Sequence, residues 1–224
     1  MFIINFGSIA INGHFLISGI LFGILYFLYD RIKNINTLYN LLLYLLIINF
    51  LSFNIYLLAT NVFDYKIHLP FHLCYLTELG ILIAIIFKNY FFYPWLVLNA
   101  LGGGISGFTN SNLPNDALYI EHIHLYLSHF NLLLFSLILY RNRFVISKTN
   151  FINSIIFNAI IFFIIFYLNI LFESNYWFTQ HRPPGINLTH LFPDWPYYLL
   201  GLISIGLISY YVTFKIFLKN TQYN

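Results

Sequence analysis

The chain has one cysteine, Cys74, in the run Leu69-Pro70-Phe71-His72-Leu73-Cys74-Tyr75-Leu76-Thr77-Glu78. A thiol becomes a nucleophile once a neighbouring base takes its proton. With an ester it forms a thioester, which suits the movement of an acyl group. Residues four apart share a helix face, so Cys74 and Glu78 line one side of the same helix. His72, two residues from the cysteine, could point toward a different neighbour and donate to a developing oxyanion. The candidate base is His129, far along the chain. If both helices enter from one surface, near residues 69 and 120, Cys74 lies roughly 7 Å down and Glu78 and His129 roughly 13 Å down. A Cys74–His129 contact is then permitted, with Glu78 placed to orient or charge the imidazole. The plainer reading is a cysteine filling small apolar space. On these residues alone both readings stay open.

The elements that would position them are membrane spans. Of 224 residues, 60% are hydrophobic and 8% charged, and the mean hydropathy is +0.77. A soluble domain carries about a quarter charged residues, so an integral membrane protein is expected. One cysteine excludes an intramolecular disulfide and a cysteine-based zinc cluster. Met1 to Phe6 has no basic region and no small-residue cleavage site, unlike a removable signal peptide. The apolar runs predict one all-α domain over 1–224 with seven transmembrane helices, at about 8–29, 38–60, 69–87, 91–109, 119–140, 151–172 and 196–218. The fourth, with Leu101-Gly102-Gly103-Gly104-Ile105-Ser106-Gly107, is poor helix material in water.

Seven spans place alternate loops on opposite sides. Arg31, Lys33, Lys88, Arg141, Arg143, Lys148, Lys215 and Lys219 collect on one side, and Lys66 and Arg182 on the other. The positive-inside rule then puts the C-terminus in the cytoplasm and the N-terminus outside. His14, His68, His72, His122, His124, His181 and His190 fall near the outer loops, as do Asp64, Asp116, Glu121, Glu173 and Asp194. Proton chemistry is therefore expected in the outer half. The 173–195 loop, rich in aromatics and proline, is expected to fold over the outer mouth. Its Trp177 and Trp195 are candidate lipid-contacting aromatics.

Other residues carry two readings each. Gly103 and Gly104, with Ala100 and Gly107, form small-xxx-small pairs. These serve close helix packing or open a gap for an acyl chain. Arg182 is a loop residue or a phosphate contact. His122 and His124 are interfacial residues or, with Glu121, zinc ligands; His14 reads as a satisfied helix-end residue.

Leu69-Pro70-Phe71-His72-Leu73-Cys74 resembles the Leu-Pro-Leu-His-Leu-Cys signature of the YwaF family of integral membrane proteins, which includes the eukaryotic acyltransferase called transmembrane protein 164. Leu127-Ser128-His129, Ser174-Asn175-Tyr176-Trp177-Phe178 and Trp195-Pro196-Tyr197-Tyr198 are similar to further family stretches, over about residues 60–200. The family often carries Gly where this chain has Phe130, Gly-Pro where it has Pro193-Asp194, and an acid where it has His190. The resemblance implies acyl transfer between lipids, with Cys74 as nucleophile and His129 as base. It also implies a fold like that of the androgen-induced lipid hydrolases, which pair a membrane threonine with a histidine.

The expected function is therefore that of a membrane-embedded lipid acyltransferase or acyl-ester hydrolase. It would need no cofactor or metal and no nucleic acid, and its partner would be a lipid of a bacterial cytoplasmic membrane. A transporter or binding protein with an outward polar pocket is the alternative. A zinc-dependent membrane hydrolase is the third reading.

Overall fold

A computed structural model describes residues 3–6, 9–110, 113–114, 116–184 and 187–219, without the side chains of 3–6, 9–12 and 219. Met1, Phe2, the middle of the 110–116 loop and the Lys219 side chain, all used in the reading above, lie outside that description. The fold is helical. Among the described residues, seven α-helices run as α1 (Gly13–Arg31), α2 (Ile35–Ala59), α3 (Leu73–Ile86), α4 (Tyr93–Thr109), α5 (Tyr119–Arg141), α6 (Lys148–Phe172) and α7 (Tyr197–Lys219). A short antiparallel pair, β1 (Ile3–Phe6) and β2 (Ile9–Asn12), precedes them. Five helices, α1, α2, α5, α6 and α7, are long and apolar enough to cross a membrane. The other two are shorter, with 14 residues in α3 and 17 in α4.

Local chemistry sets the ends. The Asn34 and Ser147 side chains accept from Asn36 N and Asn150 N at the starts of α2 and α6. Glu121 accepts from Leu118 N at 2.6 Å and caps α5. Two starts differ from the expected spans. Residues 9–12 are extended, so the first helix begins at Gly13 and not near 8. The third begins at Leu73 and not at 69, because Pro70 disfavours a helical Leu69 and the chain turns until His72.

The glycine-rich α4 is the centre of the molecule and touches α1, α3, α5, α6 and α7. Residues 93 to 100 are all buried. Glycine weakens a helix in water. Away from water every backbone group must be satisfied internally, and small residues let helices approach closely. A Cβ added at Gly104 would fall 2.6 Å from Leu133 on α5. By contrast α6 turns Ile152, Ile156, Ile160, Phe163, Ile164 and Ile170 outward, an apolar face suited to lipid.

The loops gather at two ends. At one, the Tyr176 hydroxyl donates to Tyr65 O at 2.6 Å, Lys66 pairs with Glu173 at 2.9 Å, and His68 faces Glu121 at 3.6 Å. At the other, Arg141 donates to the Tyr29 and Ile32 carbonyls. These bonds set α5 antiparallel to α2 and α6.

Candidate functional site

The late start of α3 makes Cys74 the second residue of that helix. The first helical hydrogen bond of α3 runs from Leu76 N to His72 O. The first-turn N–H groups of Leu73, Cys74 and Tyr75 therefore have no acceptor within the helix. They mark the positive end of the helix dipole, in the same turn as Cys74. Cys74 keeps accessible surface although it packs against the main apolar core.

His129 lies in the middle of α5, only 6% exposed. Its Nδ1 is 2.6 Å from Leu125 O. A carbonyl only accepts, so Nδ1 carries the proton and Nε2 presents a lone pair. The thiol and the imidazole come from different helices and meet the same face of α4. An ideal Cβ at Gly103 would sit 3.1 Å from Cys74 Sγ. One at Gly107 would fall 2.0 Å from His129 Cδ2 and 2.2 Å from Nε2. Positions four apart on a helix are about 6 Å apart at Cβ, so the two groups occupy adjacent glycine seats. No direct hydrogen bond joins them. Gly103 thus faces the thiol, while Gly104 packs against Leu133 and the His129 carbonyl. The sequence made only those two glycines candidate site residues and left Gly107 among the small-xxx-small pairs, read as packing or as a gap.

Glu78 is 0% exposed, and its carboxylate turns to other partners. It accepts from Asn49 Nδ2 at 2.9 and 3.2 Å, from Ser128 Oγ at 2.6 Å and from Asn131 Nδ2 at 2.7 Å. Asn49 also donates to Ser128 Oγ at 2.9 Å. The group that orients His129 through Nδ1 is the Leu125 carbonyl, not Glu78. Asn131 is the one amide side chain of the apolar α5, a pattern that could have flagged it; Asn49 is one of four asparagines in α2 and carried no such signal.

Three of the outer histidines have ring or hydrogen-bond partners. His72 packs edge-on against Tyr176 at 5.0 Å and against Phe178 at 5.1 Å. His124, expected at the interface, instead stacks on Phe53 at 4.0 Å and lies 3.2 Å from Asn49 Oδ1. His14 lies 3.0 Å from the Tyr126 hydroxyl and faces the Gly107 and Phe108 backbone. Among the described residues no three His, Cys, Asp or Glu side chains are arranged to hold a metal ion.

The 173–195 loop lies over the start of α3. Asn169, at the end of α6, donates to Tyr176 O and Thr179 Oγ1, each at 2.7 Å, and accepts from Ser174 Oγ and Tyr176 N. Trp177 Nε1 donates to Phe71 O at 2.7 Å. These bonds hold Trp177 and Phe178 at φ of 57° and 55°, a backbone that costs about 1–2 kcal/mol per residue. Burial pushes the Tyr176 phenol up to about 12, so it stays a neutral donor. Arg182 donates to Thr189 O, Phe192 O and Asp194 Oδ1 and covers the Tyr198 ring; it ties the loop together. Trp195 is 56% exposed and donates to Thr179 O. A polar cleft of about 580 Å³, lined by Asp64, Lys66, Glu173, Gln180 and His181 among others, opens at this end. Cys74 and His129 do not line it.

Residues 6–214 match the TMEM164 family. The match covers most of the chain, and the protein belongs to that family of membrane proteins. No curated protein and no solved structure matches it.

Proposed function

We propose that this TMEM164-family protein is a lipid acyltransferase or acyl-ester hydrolase that works through Cys74 and His129. The observation that carries the reading is the seating of a thiol and an imidazole, from α3 and α5, on adjacent glycines of α4. His129 Nε2 takes the thiol proton, and Sγ attacks the ester carbonyl of a lipid. The oxyanion develops beside the free N–H groups of the first turn of α3, whose dipole favours negative charge there. Collapse breaks the C–O bond. His129 returns the proton to the departing lipid alcohol, leaving a thioester on Cys74. An incoming lipid hydroxyl or a water molecule, deprotonated by His129, then attacks the thioester and restores the thiol. Separations in a free enzyme commonly tighten when substrate binds.

In this reading all seven helices cross a bacterial cytoplasmic membrane, with the N-terminus outside. Cys74 then lies near the outer leaflet, from which an acyl chain enters sideways. The aromatic loop, with Trp177 and Trp195, covers the mouth. The purified protein in lipid nanodiscs, given a lipid with a labelled acyl chain, should transfer or release that chain. The Cys74→Ala variant should do neither, and full turnover by that variant would refute the nucleophile.

The polar cleft at the loop end favours a second reading, a solute-binding or transport protein. Uptake into proteoliposomes that survives Cys74→Ala would select it.

A further inference from the structure

We infer that Glu78 is a positioning residue: its buried carboxylate clamps α3 to α5 and so sets Cys74 and His129 on neighbouring seats of α4. The inference rests on the Cys74–His129 reading and assigns that pair its support.

Glu78 is the one acid in the interior of the described helices, and it takes its hydrogen bonds from two other helices. Asn49 comes from α2, and Ser128 and Asn131 from α5. A polar group left unpaired in an apolar interior is costly, so the bonds that satisfy Glu78 are costly to lose. Asn131 is 0% exposed and leaves its own Oδ1 without a partner. A buried amide that spends its donor on Glu78 and leaves its acceptor unmet is placed for the carboxylate.

The geometry links this clamp to the site twice. On α5, Ser128 and Asn131 bracket His129, so their grip fixes the rotation of the helix that aims the imidazole. On α3, Glu78 lies four residues after Cys74, and the two side chains leave the helix about 40° apart. Pinning Glu78 to α5 therefore points Cys74 toward α4. Rotating α3 by that angle would carry the thiol about 4 Å, further than the gap between the two glycine seats and their occupants allows. Neither Cys74 nor His129 makes a side-chain bond to the other's helix, so this clamp is the polar tie between their elements. The titratable groups about the pair are Glu78 and Tyr75 on α3, with Glu78 the one whose charge reaches the thiol, His72 at the N-cap of α3, His124 near His129 on α5, and His14 on α1, which faces His129. The facing residues of α2 and α4, Asn49, Gly103 and Gly107, do not titrate.

Cys74 is the only cysteine, so its alkylation by N-ethylmaleimide is read directly from the mass of the intact protein. In nanodiscs, the rate should be measured against pH for the wild type, Glu78→Gln, Asn131→Leu and Ser128→Ala. Each should also be made in a His129→Ala background, with melting temperatures as the check on folding. His129→Ala should slow alkylation at neutral pH about tenfold or more and move the half-maximal rate to higher pH. Glu78→Gln and Asn131→Leu should move the profile the same way although His129 is intact, and Ser128→Ala less. All three effects should vanish when His129 is already gone. Should Glu78→Gln fail to fold, the two milder variants carry the test.

The positioning role is overturned if Asn131→Leu and Ser128→Ala keep the wild-type profile. That holds even if Glu78→Gln shifts it, since a shift confined to the charge change reports a field and not a position. It is equally overturned if the effects persist without His129. A His129→Ala profile identical to the wild type refutes the Cys74–His129 pair itself. Absence of acyl turnover in the wild type refutes the proposed function while leaving the measured coupling intact.

Discussion

At the scale of single residues, the site depends on what two glycines leave out. Gly107→Ala would place a methyl within about 2 Å of the His129 ring, closer than atoms can approach, so the imidazole must move. A displacement of about 1 Å at a reacting group costs on the order of 100-fold in rate. Gly107→Ala should therefore lose about that much acyl turnover. Gly103→Ala, whose methyl would meet Sγ at 3.1 Å, asks the thiol to give by only a few tenths of an ångström and should lose several-fold less. Equal effects of the two would contradict the seating. His129→Gln keeps a similar size but cannot take a proton, and should lower turnover by about 10² to 10⁴-fold without lowering the melting temperature.

At the scale of elements, the loop over the start of α3 hangs on one amide. Asn169 satisfies the Tyr176 backbone and the Ser174 and Thr179 hydroxyls together. In Asn169→Leu these groups lose their partner at a cost of about 3 kcal/mol. The melting temperature should fall by roughly 6–12 °C, with faster proteolysis within residues 173–195. An unchanged melting temperature would mean that the loop is held elsewhere. The exposed Lys66–Glu173 pair should contribute little. Its hydrogen bond raises the Lys66 ammonium and lowers the Glu173 carboxyl from their ordinary values. What stability it adds is present at neutral pH. It is lost as pH falls through the lowered carboxyl value, or rises through the raised ammonium value.

At the scale of the whole molecule, the loops separate into two ends, and the proposed topology puts the first of them outside. Loops joined through Tyr176, Lys66 and His68 form one end, and the end with Arg141 the other. A single cysteine added to Cys74→Ala at Arg182 should react with a membrane-impermeant maleimide from outside intact cells. One added at Lys215 should react only after the membrane is opened. The reverse pattern would invert the proposed topology.

The membrane class and the approximate helix positions were legible in the sequence, because composition and apolar run length are local properties. Cys74 and His129 stood out as ionisable side chains within apolar segments. The sequence misplaced the start of α3, since a depth counted from residue 69 treats the turn at Pro70 as helix. It also assigned Glu78 to the imidazole, because spacing along one helix says nothing of the helix opposite. That the glycine-rich fourth helix is the hub, that Gly107 receives His129, and that Glu78 binds Asn49, Ser128 and Asn131 were decided by tertiary structure alone. Helix rotation and close approach depend on which residues meet across a contact, and those pairs lie between about 20 and 50 residues apart in the chain.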